Sequence, residues 1–172
     1  MDFLTLARER YSVRKLATRP VEQEKIDRII EAALLAPTAT NSQPFKVWVM
    51  QSPEALEKVR QTNGFPFVKE APVVFVIGGD LGAAWKRPFD GHSFAEVDAS
   101  IVATHMMLAV HDLGLGTTWV GYFDPKKMTA LFPEMEGYEL ICLFGVGYPA
   151  GDAEPSERHA LSKPREALVT VL

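Results

Sequence analysis

The order of apolar and polar residues predicts a chain that changes between helical and extended structure several times. Between residues 22 and 36 the apolar side chains recur at helical spacing, which predicts an amphipathic helix. Mostly apolar runs predict strands at residues 45–51, 72–78 and 138–146. The run at 72–78 is continuous, which is typical of a strand that is covered on both faces.

The strongest helical pattern extends from about Glu96 to Leu113, and its apolar positions surround most of the helix. Such a helix lies either in the centre of the core or in a subunit interface. Gly114 and Gly116 end this helix, and residues 117–123 are predicted to be extended.

Shorter helices are predicted after Asp2, after Ser52-Pro53 and from Asp124-Pro125, because each of these sites offers a capping side chain. Residues 80–92 are predicted to be irregular, and the apolar tail at 167–172 would add an edge strand. The order of elements predicts one domain over residues 1–172. That domain has an α+β or three-layer arrangement and is not a regular βαβ series.

Composition and charge narrow the class of protein. The chain has 172 residues and a net charge of −4, which argues against a nucleic-acid binder because such domains are usually basic. Its one cysteine, Cys142, is predicted to be a buried apolar residue and not a reactive thiol. No signal peptide or membrane-spanning run is evident, so we expect a cytoplasmic protein.

The first candidate for chemistry is the alternation of Arg10, Ser12 and Arg14. In an extended backbone these three side chains share one face, and two guanidinium groups beside a hydroxyl suit a phosphate monoester. A solvated basic connector explains the same spacing equally well.

Two further segments carry polar or glycine-rich patterns. The turn from Pro37 to Pro44 holds two carboxamides that would match a planar amide edge, although an ordinary loop is the better explanation of this turn alone. The glycines at 114–121 would let backbone amides approach a ligand, or would simply end a helix.

Other patterns carry no chemistry. Residues 145–150 match a dinucleotide fingerprint, but no helix follows, so the phosphate-binding helix terminus is missing. The four histidines form no metal motif. Asp98, His105 and Asp112 would share a helix face, which indicates an interface or a core hydrogen-bond network.

Five segments, each weak alone, form an ordered set over nearly the whole chain. They are Arg10-Tyr11-Ser12-Val13-Arg14-Lys15, residues 36–45, residues 98–109, residues 113–121 and Gly145-Val146-Gly147-Tyr148-Pro149. This set resembles the FMN-dependent nitroreductase family, as a short, single-domain member. The resemblance implies a three-layer α/β/α fold with a mixed, largely antiparallel central sheet. It also implies a homodimer with two FMN sites, each built from both subunits.

By similarity, residues near the two ends of the chain would hold the phosphate of FMN. Residues from the middle of the chain would contact its ring. Near the phosphate and ribityl chain lie Arg10, Tyr11, Ser12 and Arg14, with Ser162 and Lys163 from the tail. Ser162 stands where the family often has arginine, so that role is assigned to Lys163. The other subunit would supply Pro37, Thr38, Ala39, Asn41 and Gln43, and the ring would meet Trp119, Val120 and Gly121.

The resemblance implies an FMN-dependent NAD(P)H oxidoreductase with ping-pong hydride transfer through flavin N5. The acceptor would be electron-poor, such as a nitroaromatic or a quinone, and no side chain need act as an acid or base. Trp85 and Phe89 would line the substrate side, or would belong to an exposed loop. Two alternatives stay open. One is a flavoenzyme with another reaction, such as dehalogenation, ene reduction or flavin fragmentation, and the other is a flavin-binding protein without useful turnover.

Overall fold

The computed structural model describes residues 2–172. Its helices are α1 (Phe3–Glu9), α2 (Gln23–Leu34), α3 (Pro53–Arg60), α4 (Pro66–Lys69), α5 (Ala95–Asp112) and α6 (Pro125–Leu131). Its strands are β1 (Phe45–Met50), β2 (Val73–Asp80), β3 (Trp119–Val120) and β4 (Tyr138–Val146). Single 3-10 turns lie at Ala39–Asn41, Pro133–Met135, Glu157–Ala160 and Arg165–Ala167.

The four strands form one sheet in the order β1-β2-β4-β3, and every strand pair is antiparallel. The parallel pairing that the sequence allowed for is confined to an isolated bridge between Ser12 and Thr117. The α+β class is therefore confirmed, and so is the largely antiparallel sheet.

Helices cover both faces of the sheet, which makes three layers. On one face α2 and α5 pack against alternate strand residues such as Phe75 and Phe144. On the other face α3, α4 and α6 pack against the side chains that point the opposite way, such as Val74 and Leu143. Successive side chains of β2 and β4 thus point alternately into the two cores, which explains why both strands are almost continuously apolar.

Helix α5 is central, as its pattern predicts. Val102, Ala103 and Met106 are fully buried in the core of their own chain. On the outer side of the helix, Val97 and Ile101 help to line an open hollow of about 400 Å³. The apolar character all round α5 therefore has two origins, the core on one side and an uncovered surface on the other.

Three helix starts confirm the predicted capping. Asp2 accepts a hydrogen bond from the backbone N–H of Thr5 at 3.1 Å, and Ser52 and Asp124 do the same for α3 and α6. Within residues 2–172, no helix combines the length and apolarity that crossing a membrane requires.

The C-terminal tail differs from the sequence prediction. The tail at 167–172 is no strand of this sheet; its residues are exposed and unpaired with any strand of the same chain. A strand needs a partner edge, which an apolar pattern alone does not provide. Residues 81–92 are irregular, as predicted, and contain turns and one isolated bridge from Lys86 to Ser93. The backbone N–H of Arg87 also donates to the carbonyl of His92.

Candidate functional site

The segment after α1 is held in an extended conformation beside the loop before β3. The backbone N–H of Val13 donates to the carbonyl of Thr117 at 3.0 Å, and the Thr118 hydroxyl donates to the carbonyl of Val13 at 2.9 Å. Val13 is buried, so its neighbours Ser12 and Arg14 point the other way, as an extended backbone requires. The predicted alternation is thus present.

Gly116 permits this close approach. A Cβ atom at position 116 would lie 2.7 Å from the Cβ of Val13, which is closer than such atoms pack. Gly116 is therefore required because the Val13 segment lies so close. Gly114 has a different role and ends α5 with a φ of 72°.

Arg10, Ser12 and Arg14 all line one cavity of about 280 Å³. Tyr11 lines it as well, and the opposite wall comes from the C-terminal part of the chain through Ser156, Arg158 and His159. We call this the basic cavity. Its lining includes three arginines and no carboxylate.

Two contacts dock the C-terminal segment on the N-terminal one. The Tyr11 hydroxyl donates to the carbonyl of Ala153 at 3.2 Å, and His159 Nε2 donates to the carbonyl of Arg8 at 3.1 Å. The rings of Tyr11 and His159 also meet edge to face, with centroids 6.3 Å apart. These contacts bring Arg158 to the cavity, far along the chain from Arg10.

A second cavity of about 270 Å³ adjoins the first and shares Ser12 and Arg14 with it. Its far wall is acidic, with Glu154 and with Asp152, which pairs with Lys15 at 2.6 Å. The hydrogen bond from Lys15 lowers the pKa of Asp152. The lining of the basic cavity thus carries an excess of positive charge, which favours an anion there. In its neighbour, Arg14 and Lys15 are balanced by the two carboxylates.

Electrostatics next to the basic cavity also involve α5. Burial lowers the pKa of His111, while Glu9 opposes that shift and Arg10 adds to it. Further away, Tyr148 and Arg19 both bond Glu22, and the Tyr148 hydrogen bond is the main cause that lowers the pKa of Glu22 to about 2.

The polar turn after α2 lies elsewhere on the chain and lines neither the basic cavity nor the second cavity beside it. Thr40, Asn41 and Gln43 have φ values of 55°, 56° and 50°, an unusual run of left-handed residues that are not glycine. Thr38 closes the turn, because its hydroxyl accepts from the N–H of Gln43 at 3.0 Å. The N–H of Ala39 donates to a buried carboxylate, Asp98, at 2.9 Å.

The end of β3 exposes backbone. Trp119 packs edge to face on Phe144, with ring centroids 5.7 Å apart, and Val120 is buried. Gly121 is exposed, and a Cβ atom there would have no neighbour within 4 Å. The backbone at Gly121 is therefore open to solvent directly after β3.

The sequence model of the Nitroreductase family matches residues 7–63 and 58–148, which together span most of the chain. The chain belongs to the nitroreductase family.

Individual relatives within this family extend over most of the chain. A crystal structure of a nitroreductase family protein from Clostridium difficile 630 is 36% identical, with a TM-score of 0.91, and the match covers 99% of this chain and 98% of that one. A Bacillus subtilis protein named FMN reductase [NAD(P)H] is 30% identical over 91% of this chain and 68% of its own length. A Thermus thermophilus NADH dehydrogenase is 28% identical over 95% and 94%.

Four other residues that the family resemblance singled out lie outside the basic cavity. Ser162 and Lys163 are exposed on the segment beyond it, and the Ser162 hydroxyl bonds the carbonyl of Lys163. Trp85 is half-buried against Phe94, whereas Phe89 is 95% exposed at the tip of its loop.

The structure adds Arg158 and His159, which the sequence did not single out. The one available signal was a basic pair within the same C-terminal segment. No sequence pattern predicts that this pair lies near Arg10, because their proximity depends on how the C-terminal segment packs on the N-terminal one.

Proposed function

We propose that this nitroreductase family member is an FMN-dependent NAD(P)H oxidoreductase that reduces an electron-poor acceptor, such as a nitroaromatic or a quinone. The basic cavity is the observation that carries the proposal. The names of the Bacillus subtilis and Thermus thermophilus relatives agree with it.

The residues of the basic cavity fit the phosphate of FMN. Arg10, Arg14 and Arg158 offer paired N–H donors with permanent charge, and Ser12 adds a hydroxyl. A volume of about 280 Å³ exceeds what a phosphate group needs, and no carboxylate repels it there. FMN is the cofactor and NAD(P)H the reductant; when bound, the flavin supplies hydride transfer at N5 in a ping-pong sequence.

The chain itself supplies position and electrostatics. The basic cavity would hold one end of the cofactor, and backbone amides around Val120 and the exposed Gly121 would stabilise the negative charge that the ring gains on reduction. With the flavin supplying the chemistry and the chain supplying binding and electrostatics, no step requires a side chain to act as a general acid or base.

The proposed assembly is a homodimer. The Thr38–Gln43 turn lies outside the basic cavity of its own chain, and by the family resemblance it would serve the FMN of the partner. Uncovered apolar side chains on α1, on α5 and in the tail need a cover, which a second copy would provide. They are Phe3, Leu4, Val97, Leu168, Val169 and Val171. The cytoplasmic location and the single domain stay predictions.

Anaerobic titration tests the function directly. The purified protein, loaded with FMN, is titrated with NADH and with NADPH, and the flavin absorbance is expected to bleach with at least one of them. A nitroaromatic or a quinone, added afterwards, is expected to restore the absorbance. A protein that takes up no FMN would refute the proposal, and bound flavin that neither nicotinamide reduces would leave only a flavin-binding protein.

Arg158→Ala tests the composition of the basic cavity. Loss of one charged contact to phosphate is expected to weaken FMN binding by about 10-fold or more. Riboflavin, which lacks the phosphate, is expected to bind as it does to the wild type. The measurement is quenching of flavin fluorescence on binding.

Two further variants complete that comparison. Arg28→Ala removes an exposed arginine on α2 and controls for net charge. Lys163→Ala tests the residue that the sequence assigned to the phosphate. If Lys163→Ala weakens FMN binding and Arg158→Ala does not, the sequence assignment is right and Arg158 has no part in the site.

A further inference from the structure

Asp98 is a buried acidic residue in the first turn of α5. Only 1% of it is exposed, and its Oδ1 accepts the hydrogen bond from the N–H of Ala39. Its Oδ2 is equally buried and has no hydrogen-bond partner among the described residues. Burial of a carboxylate oxygen without a hydrogen-bond partner costs free energy. We therefore ask what the hydrogen bond of the other oxygen, Oδ1, contributes.

The position on α5 explains why the charge is tolerated. The first turn of a helix presents free N–H groups and the positive end of the helix dipole, both of which stabilise a carboxylate. The fold of α5 alone does not require this side chain, because Ala99, Val102 and Ala103 already bury the helix in the core. The bond to Ala39 is therefore the distinguishing feature of Asp98.

That bond reaches a turn whose backbone is strained. Thr40, Asn41 and Gln43 all adopt left-handed conformations, which cost energy in residues other than glycine and persist only where the surroundings hold them. Inside the turn, Thr38 bonds the backbone of Asn41 and Gln43. Asp98 bonds the turn from outside and ties it to the rigid helix.

We propose that Asp98 is a positioning residue, which holds the Thr38–Gln43 turn in the conformation that contacts the ring and ribityl part of FMN. This inference rests on the proposed function, because it takes FMN as the ligand. Asp98 itself touches no cofactor; it acts through the N–H of Ala39.

Flavin affinities of two variants test the proposal. Asp98→Ala leaves the Ala39 N–H without its acceptor, and is expected to weaken FMN and riboflavin binding by the same factor, about 10-fold. The phosphate plays no part in the loss, which separates this variant from those of the basic cavity. Asp98→Asn keeps an acceptor oxygen and is expected to bind both flavins within about 3-fold of the wild type.

Val102→Ala is the matched control. It lies one turn further along α5, is fully buried in the core, and its apolar side chain offers no hydrogen bond to the turn. This variant is expected to lower the melting temperature and to leave both flavin affinities unchanged. Should Asp98→Ala fail to fold, Ala39→Pro deletes the same hydrogen bond from the donor side, at the start of a 3-10 turn where proline is accepted.

Hydrogen exchange of the flavin-free protein adds a readout that does not depend on FMN. The amides of Ala39 and Asn41 are expected to exchange faster in Asp98→Ala than in the wild type, and unchanged in Val102→Ala. Equal flavin affinity in Asp98→Ala and the wild type would overturn the inference and leave the proposed function intact. A loss confined to FMN would overturn it as well. A wild type that binds neither flavin refutes the proposed function and, with it, the role of the turn in binding.

Discussion

Replacement of Arg10 and Arg14 together by alanine is expected to weaken FMN binding by about 100-fold or more. Both arginines line the basic cavity, and a hydrogen bond to a charged group contributes about 1.5–3 kcal/mol. Arg14 is exposed and Arg10 half-buried, so we take the lower end of that range for each.

The comparison of FMN with riboflavin makes this prediction specific. Riboflavin binding is expected to stay within about 3-fold of the wild type, because the charge that the two arginines would pair with is the phosphate, which riboflavin lacks. The double variant Arg28→Ala/Lys69→Ala removes two exposed cations elsewhere and controls for the change in net charge. If that control weakens FMN binding as much, the attraction is a general one and the basic cavity is no phosphate site.

The same variant tests whether each site is shared between two chains. In a mixed dimer, one subunit carries Arg10→Ala/Arg14→Ala and the other carries Asp98→Ala. If the turn serves the partner, both lesions fall on one site and the other site stays intact, so half of the FMN binds with wild-type affinity. If each site is built within one chain, both sites are damaged and no tight binding is left.

Gly116→Ala is expected to lower the free energy of unfolding by about 1–3 kcal/mol, which is the usual cost of overpacking. The added methyl would lie 2.7 Å from Val13, a buried and β-branched side chain that has little freedom to turn away. For a domain of this size the melting temperature should fall by about 3–9 °C. FMN affinity should fall as well, because a displaced Val13 carries Ser12 and Arg14 with it.

Two matched variants check that explanation. Gly64→Ala adds the same methyl where no atom lies within 4 Å, and is expected to change stability by less than about 0.5 kcal/mol. Val13→Ala removes two of the three close contacts with the new methyl, so the double variant should lose less stability than the two single losses added together. Additive losses would show that Gly116 and Val13 do not conflict, and that the cost of Gly116→Ala has another source.

Local patterns were enough to predict most elements of the fold. Helix α2, helix α5 and the strands β1, β2 and β4 each carry a periodicity that their own residues establish. The ends of elements are harder to place from local patterns: β3 spans only Trp119–Val120, whereas the pattern predicts an extended segment over residues 117–123. The tail shows the limit clearly, because an apolar pattern does not say whether a partner edge is present.

The sequence by itself determined the alternation of Arg10, Ser12 and Arg14 and the order of the family motifs, since both depend on neighbours along the chain. Only the tertiary structure decided what faces that alternation. Arg158 and His159 reach it through a tail whose docking contact spans 151 residues, and Asp98 meets Ala39 across 59 residues. Contacts between residues so far apart in sequence depend on how whole elements pack, and that packing cannot be predicted from the neighbouring residues along the chain. The basic cavity and the anchored turn are therefore properties of the fold, built from residues that the sequence shows singly.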